Sequence, residues 1–186
     1  MRPLLDRIPS STYDDEVARA LVENLDTLYS TALRLCSRED AAEDLVQECV
    51  RKALEGSTGL THQRQLRAWI FKILINCMRD YFRQHARNLE EPFPEEELHL
   101  NNANWQISAM VSNTSQDIRL ALDALTVERR AVVLLVDWEG FTLSDAAAIL
   151  NLPVGTVASR LARAHMALRE FLRTYHRGKS KTGGKP

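Results

Sequence analysis

The sequence predicts an all-α chain of two small helical domains joined by a linker, the C-terminal one built around a helix-turn-helix. Three observations carry that expectation. Apolar residues recur at spacings of three and four in one segment after another, with no convincing strand-like alternation and no internal repeat. Only 7 Gly and 6 Pro are spread over 186 residues, which suits long helices. Across residues 89–115 the periodicity stops, and five acids gather there without a base, as in an irregular linker.

Taken in order, residues 14–35 place Val17, Leu21, Leu25, Leu28, Ala32 and Leu35 on one helical stripe. Ser37 with Asp40 three positions on reads as a capping box, because the serine oxygen can accept the Asp40 amide. It would open a second helix running to about Leu54, stopped by the glycines of Glu55–Gly59. A long pattern from about Gln63 to Arg87 runs through Leu66, Ile70, Ile73, Cys77 and Tyr81, and whether it breaks near Asn76 is left open. In the linker, Trp105, Ile107 and Met110 are apolar enough for part of it to dock on something. The helical pattern resumes near Ser115 with Ile118, Leu122 and Leu125, followed by a short buried run, Ala131–Val136, and a break at Gly140. Thr142 and Asp145 form a second capping box, opening a helix over Leu143–Leu150. Asn151-Leu-Pro153 turns the chain into a last helix from about Val154 to Tyr175. The expected organisation is therefore a first domain at 13–87, an acidic linker at 88–115, a helix-turn-helix domain at 116–175, and a basic, disordered tail at 176–186.

Composition narrows the function. No apolar run approaches the roughly 18–20 residues of a membrane span, so no direct membrane insertion is expected. The start, MRPLLDRIPSSTYDDE, turns acidic before a signal-peptide core could form, which points to a cytoplasmic protein. Cys36, Cys49 and Cys77 lie within apolar helical patterns and lack CxxC or CxxH spacing, so they are read as reduced, buried thiols. No phosphate-binding glycine loop, metal-spaced His/Cys cluster or Ser/His/Asp set occurs; no cofactor, metal or catalytic residue is expected, and the chain is not read as an enzyme. The net charge of −1 hides strong segregation. Residues 14–55 hold eleven acids and five bases, residues 62–87 six bases and one acid, and residues 174–186 four bases and no acid. Fields of opposite sign on separate segments suggest different partners for each.

The last two helices give the sharpest geometry. At 100° per residue, Val157, Leu161, Ala164, Leu168 and Phe171 fall on one side of the final helix, and Thr156, Ser159, Arg160 and Arg163 on another. The donors sit at the N-terminal end, the end that a recognition helix pushes into the major groove. Arginine can bind guanine bidentately, and Ser or Thr can serve phosphates or base edges. By itself this pattern also fits an amphipathic hairpin with a solvated face.

The string GFTLSDAAAILNLPVGTVASRLARAHMALRE resembles the promoter-reading helix-turn-helix of bacterial RNA polymerase sigma factors of the extracytoplasmic-function type. REDAAEDLVQECVRKAL resembles that family's core-polymerase-binding helix, and LRAWIFKILINCMRDYFRQHAR its −10-reading helices. The three segments stand in the family's order and spacing and cover roughly residues 15–87 and 116–173. The resemblance implies that Asp44, Leu45, Gln47 and Glu48 meet core RNA polymerase through the β′ clamp helices, with the β subunit as a further contact. It implies that Asn76 takes a flipped −10 base while Arg79 and Arg83 hold backbone, and that Thr156, Ser159, Arg160 and Arg163 read −35 in promoter DNA. Trp69, Phe71, Tyr81 and Phe82 lie among these bases, where aromatic faces can stack exposed bases or pack in the core, and Trp69 and Tyr81 are expected in the core. The linker acids would lie in the polymerase cleft, or only solubilise the linker. An anti-sigma factor that clamps both domains is a further implied partner. The family often has a basic residue where this chain has Ala158 and His165, which weakens the basic patch. Two other readings remain: a stand-alone helix-turn-helix regulator, with no use for residues 38–54, and a sigma-like decoy that binds a regulator protein and no DNA.

Overall fold

The computed structural model describes residues 12–56, 63–87 and 113–182. Among them the chain forms seven α-helices and one π-helical turn, and no strand. Residues 88–112 of the expected linker, with Trp105, Ile107 and Met110, and the ends of the chain lie outside the described residues, while the linker's last three residues already belong to a helix.

Helix α1 (Thr12–Cys36) buries Val17, Leu21, Leu28, Ala32 and Leu35. Leu25, placed on the same stripe from its spacing, is 44% exposed. Helix α2 (Glu39–Glu55) buries Ala41, Ala42, Leu45, Val46, Cys49 and Ala53. Its start differs from the expected capping box. Ser37 adopts a left-handed conformation (φ 59°), and its hydroxyl donates to Asp123 far along the chain. Arg38 takes the cap position with no side-chain cap bond, and Asp40 pairs with Arg38 instead. A tertiary partner has outcompeted the local one.

Helix α3 (Gln63–Arg87) runs unbroken through Asn76 and buries Leu66, Ile70, Phe71, Leu74, Ile75, Cys77 and Met78. Helices α1, α2 and α3 pack on one another as the first half of the fold. All three cysteines are free and buried.

The second half starts with α4 (Asn113–Asp123) and α5 (Val127–Val133), the latter capped by the Thr126 hydroxyl accepting from the Arg129 amide. The buried run then widens into a π-helical turn, Leu134–Trp138, closed by the Glu139 amide donating to Leu134 O at 2.9 Å, five residues back. Gly140 at φ 71° reverses the chain, a conformation that L side chains rarely adopt. The Thr142–Asp145 capping box forms as expected and opens α6 (Leu143–Leu150). Asn151, left-handed at φ 53°, closes α6 by donating its amide to Ala147 O. Helix α7 (Val154–Thr182) buries Val157 and Ala164 and outruns its expected end at Tyr175, so residues 176–182, expected to be disordered, continue the helix.

The halves are not independent. Helix α3 packs on α6 and α1 on α5, so one continuous core holds buried residues from both. Phe71 of α3 meets Phe141 edge-on, ring centres 5.1 Å apart. Such a pair contributes about 0.5–1.5 kcal/mol beyond its area.

Candidate nucleic-acid interface

Three surfaces emerge from this packing. The first is an open cavity of about 640 Å³ between α2 and α3. Trp69 forms part of its wall, and Lys52, Asn76, Arg79 and Arg83 converge on it. The three residues expected to contact −10 thus share one cavity, because 76, 79 and 83 lie one helical turn apart along α3. Arg83 is exposed and bonds Asp80 at 2.7 Å, and Asp80 also lies 3.6 Å from Lys52 Nζ. Arg79 has a different engagement: its Nη2 donates to Leu150 O at 2.7 Å, at the end of α6. Loss of water around the Arg79 guanidinium, and then the positive charge of Arg160, push its pKa below the ordinary arginine value. Of the aromatics, Phe71 is fully buried and belongs to the core, whereas Trp69 and Tyr81, expected there, are only half-buried at its edge, as is Phe82.

The second surface is the outer side of α2. Asp44 and Gln47 are exposed and Glu48 half-buried. Asp44 and Glu48 line a groove of about 400 Å³ together with Arg38, Asp80 and Tyr81 of neighbouring elements. Glu48 is held by Arg51 at 2.6 Å, with Lys52 at 3.4 Å. The Arg51 hydrogen bonds lower the Glu48 carboxyl to about 2, so it stays ionised. Leu45, grouped with these residues from the resemblance, is only 3% exposed and serves the core.

The third surface is the N-terminal part of α7. Val157 and Ala164 face inward, while Ser159 and Arg163 are exposed and Thr156 and Arg160 half-buried. The Ser159 hydroxyl donates to Thr156 O at 3.0 Å, inside its own helix. His165, noted as a departure from a basic residue, lies 2.6 Å from Asp137 of the π-helical turn. That contact ties α7 to the wide turn. Its partners stand 28 positions apart, so no local pattern announces it.

The polar residues between the halves have partners far apart in the sequence and leave no local pattern there. Glu139 accepts from the Thr31 hydroxyl at 2.7 Å and from Arg67 Nη2 at 2.8 Å, while Arg67 Nη1 donates to Glu139 O at 3.0 Å. Arg130, 7% exposed, donates to Arg34 O, Leu35 O and the Ser37 hydroxyl and sits 3.1 Å from Asp123. The available signal was an acid, Glu139, three positions past a buried apolar run and directly before a glycine. Among the described residues no group of three His, Cys, Asp or Glu could hold a metal, and no helix is long and apolar enough to cross a membrane.

This arrangement matches two modules of bacterial transcription initiation. Residues 21–88 match sigma-70 region 2, and residues 115–168 match sigma-70 region 4. The chain is 32% identical to the ECF RNA polymerase sigma factor EcfG of Rhodopseudomonas palustris, over 85% of this chain and 86% of that protein. It is 34% identical to the RNA polymerase sigma-E factor of Streptomyces coelicolor, over 79% and 80% respectively. A co-crystal structure of the sigma factor RpoE with the anti-sigma factor NepR from Bartonella quintana superimposes with a TM-score of 0.69 at 31% identity, over 86% of this chain and 98% of that one. The chain belongs to the extracytoplasmic-function RNA polymerase sigma factors.

Proposed function

We propose that this sigma factor divides its work among the three surfaces. Asp44, Gln47 and Glu48 on α2 grip core RNA polymerase, the α3 cavity takes an unpaired −10 base, and the start of α7 reads −35. The observation that carries this reading is the convergence of Trp69, Asn76, Arg79 and Arg83 on one cavity. A stacking wall, an amide and cations are the groups that bind a base lifted from the duplex. On this reading residues 13–87 and 116–175 are the functional units and 88–115 joins them. The protein acts in the cytoplasm as a specificity subunit, without catalysis of its own. An anti-sigma factor restrains it, a proposal supported by its similarity to a sigma factor solved with one.

Gel-shift and run-off transcription at fixed, near-physiological salt test the reading, with chain alone, core polymerase alone and the mixture. The chain alone should bind promoter duplex weakly, because a net charge of −1 gives little long-range attraction and the α3 cavity requires unpaired bases. The mixture should bind tightly and transcribe. Replacing Asp44, Gln47 and Glu48 together by Ala should keep helicity and abolish polymerase binding. Nanomolar, sequence-specific binding by the chain alone, with no gain from core polymerase, would establish a stand-alone regulator instead.

A further inference from the structure

We infer that the apolar groove between α1 and α4 is the docking site of a segment of this same chain, residues 104–111, which seats there through Trp105, Ile107 and Met110. The inference goes beyond the division of work proposed above and does not depend on it.

The groove lies beside the seam between the halves and has a volume of about 290 Å³. Tyr29 and Leu33 come to it from α1, Ile118 and Leu122 from α4, and Trp138 from the π-helical turn. Leu122 is buried, but Ile118 is 39% exposed and Trp138 49%. One exposed apolar side chain is ordinary, whereas several meeting at one concavity mark a binding surface. The charged groups at the edge are already engaged. Arg34 lies 4.2 Å over the Trp138 ring, Arg119 donates to Ser37 O at 3.0 Å, and Asp123 sits 3.1 Å from Arg130. The groove therefore calls for apolar contact. An occupant that brought a bare charge would lose its water there without gaining a partner.

Three properties of the chain identify the occupant. The first is position. Residues 88–112 lead directly into α4 at Asn113, and Ile118 lies only about 7.5 Å further along that helix at about 1.5 Å per residue. Trp105 stands eight residues before Asn113. Eight extended residues reach about 26–29 Å, enough to double back along α4 to the groove. The second is composition. Residues 98–112 contain no Asp, Glu, Lys or Arg and carry Trp105, Ile107 and Met110, while the five linker acids all lie upstream, between Glu90 and Glu97. The third is tethering. So short a connection holds the segment at an effective concentration of about 1 mM. A contact with a dissociation constant of only about 0.1 mM is then occupied about ten to one, whereas a second copy of equal affinity at micromolar concentration leaves the groove almost empty.

Thiol labelling of the full chain tests the docking. The three native cysteines are buried, so an Ile118→Cys thiol reports on the groove and a Val22→Cys thiol, at a position 75% exposed on α1, on open surface. With the natural segment, maleimide should modify Ile118→Cys about tenfold more slowly than in a chain that also carries Trp105→Ser, Ile107→Ser and Met110→Ser, the factor set by the occupancy above. Val22→Cys should react equally fast with either segment. Benzoylphenylalanine at position 105, which leaves the groove itself unaltered, should on illumination crosslink to α1 or α4 within one chain. Equal labelling of Ile118→Cys with the two segments would overturn the docking, as would an equal acceleration at Val22→Cys, which reports general loosening. Protection that grows with chain concentration, or crosslinks between chains, would assign the groove to a second copy instead. Crosslinks from position 105 to other parts of the chain would place the segment elsewhere and end the proposal.

Discussion

Cys36, Cys49 and Cys77 show how far a single residue's chemistry follows from its surroundings. Burial pushes all three thiols above their ordinary value, Cys49 to about 12. The thiolate is the reactive form. The native chain at pH 8 should therefore react negligibly with a thiol reagent, and all three groups should react after denaturation; rapid native labelling of any one would contradict its burial. Buried thiols were legible in the sequence because each cysteine lies in an apolar helical pattern. Arg79 was legible only in part. Its place on the basic face followed from helical periodicity, whereas its bond to Leu150 O joins residues 71 positions apart and leaves no local trace. Phe71 was ambiguous in the same way, because its partner Phe141 belongs to the other half of the chain. At Glu48 the sequence shows the acid and not its engagement: Arg51 already holds that carboxylate at 2.6 Å, so on the proposed reading a cation of polymerase would have to compete with it or share it.

Among the elements, α6 was the most legible, since its start and stop are local. The Thr142 hydroxyl caps the Asp145 amide at 3.1 Å, and Asn151 supplies the left-handed closing residue. Thr142→Ala should lower stability by about 1 kcal/mol through loss of the cap. Asn151→Val should lower it by about 1–2 kcal/mol, since a β-branched residue resists the left-handed region, while Asn151→Gly should be tolerated. Urea unfolding of the three variants checks the order, and a Val variant as stable as the parent would refute the turn assignment. The same capping logic misplaced the start of α2, because Ser37 is claimed by Asp123 and Arg130. The π-helical turn escaped prediction for a related reason: apolar spacing reports that Leu134 and Leu135 are buried, and it does not report a change from four- to five-residue hydrogen bonding.

For the whole molecule, the two-part helical architecture was legible and the docking of its parts was not. Periodicity identifies an apolar face and leaves its partner unspecified. The shared core predicts a simple outcome. If a specific protease site is inserted between residues 88 and 112 and cut, the two fragments should still elute together at near-physiological salt, held by the α3–α6 and α1–α5 contacts. Separate elution would show that the seam has no stability of its own. The seam also has a consequence for synthesis. Its partners are widely separated in sequence: Arg67 and Glu139 by 72 positions, Thr31 and Glu139 by 108. At about 5–20 residues per second, a ribosome needs roughly 4–20 s to make the intervening chain. For that interval the first half emerges with Phe71 uncovered and nothing yet made to close over it. Every newly made copy thus begins with its first half unrestrained, whatever controls the finished protein later meets.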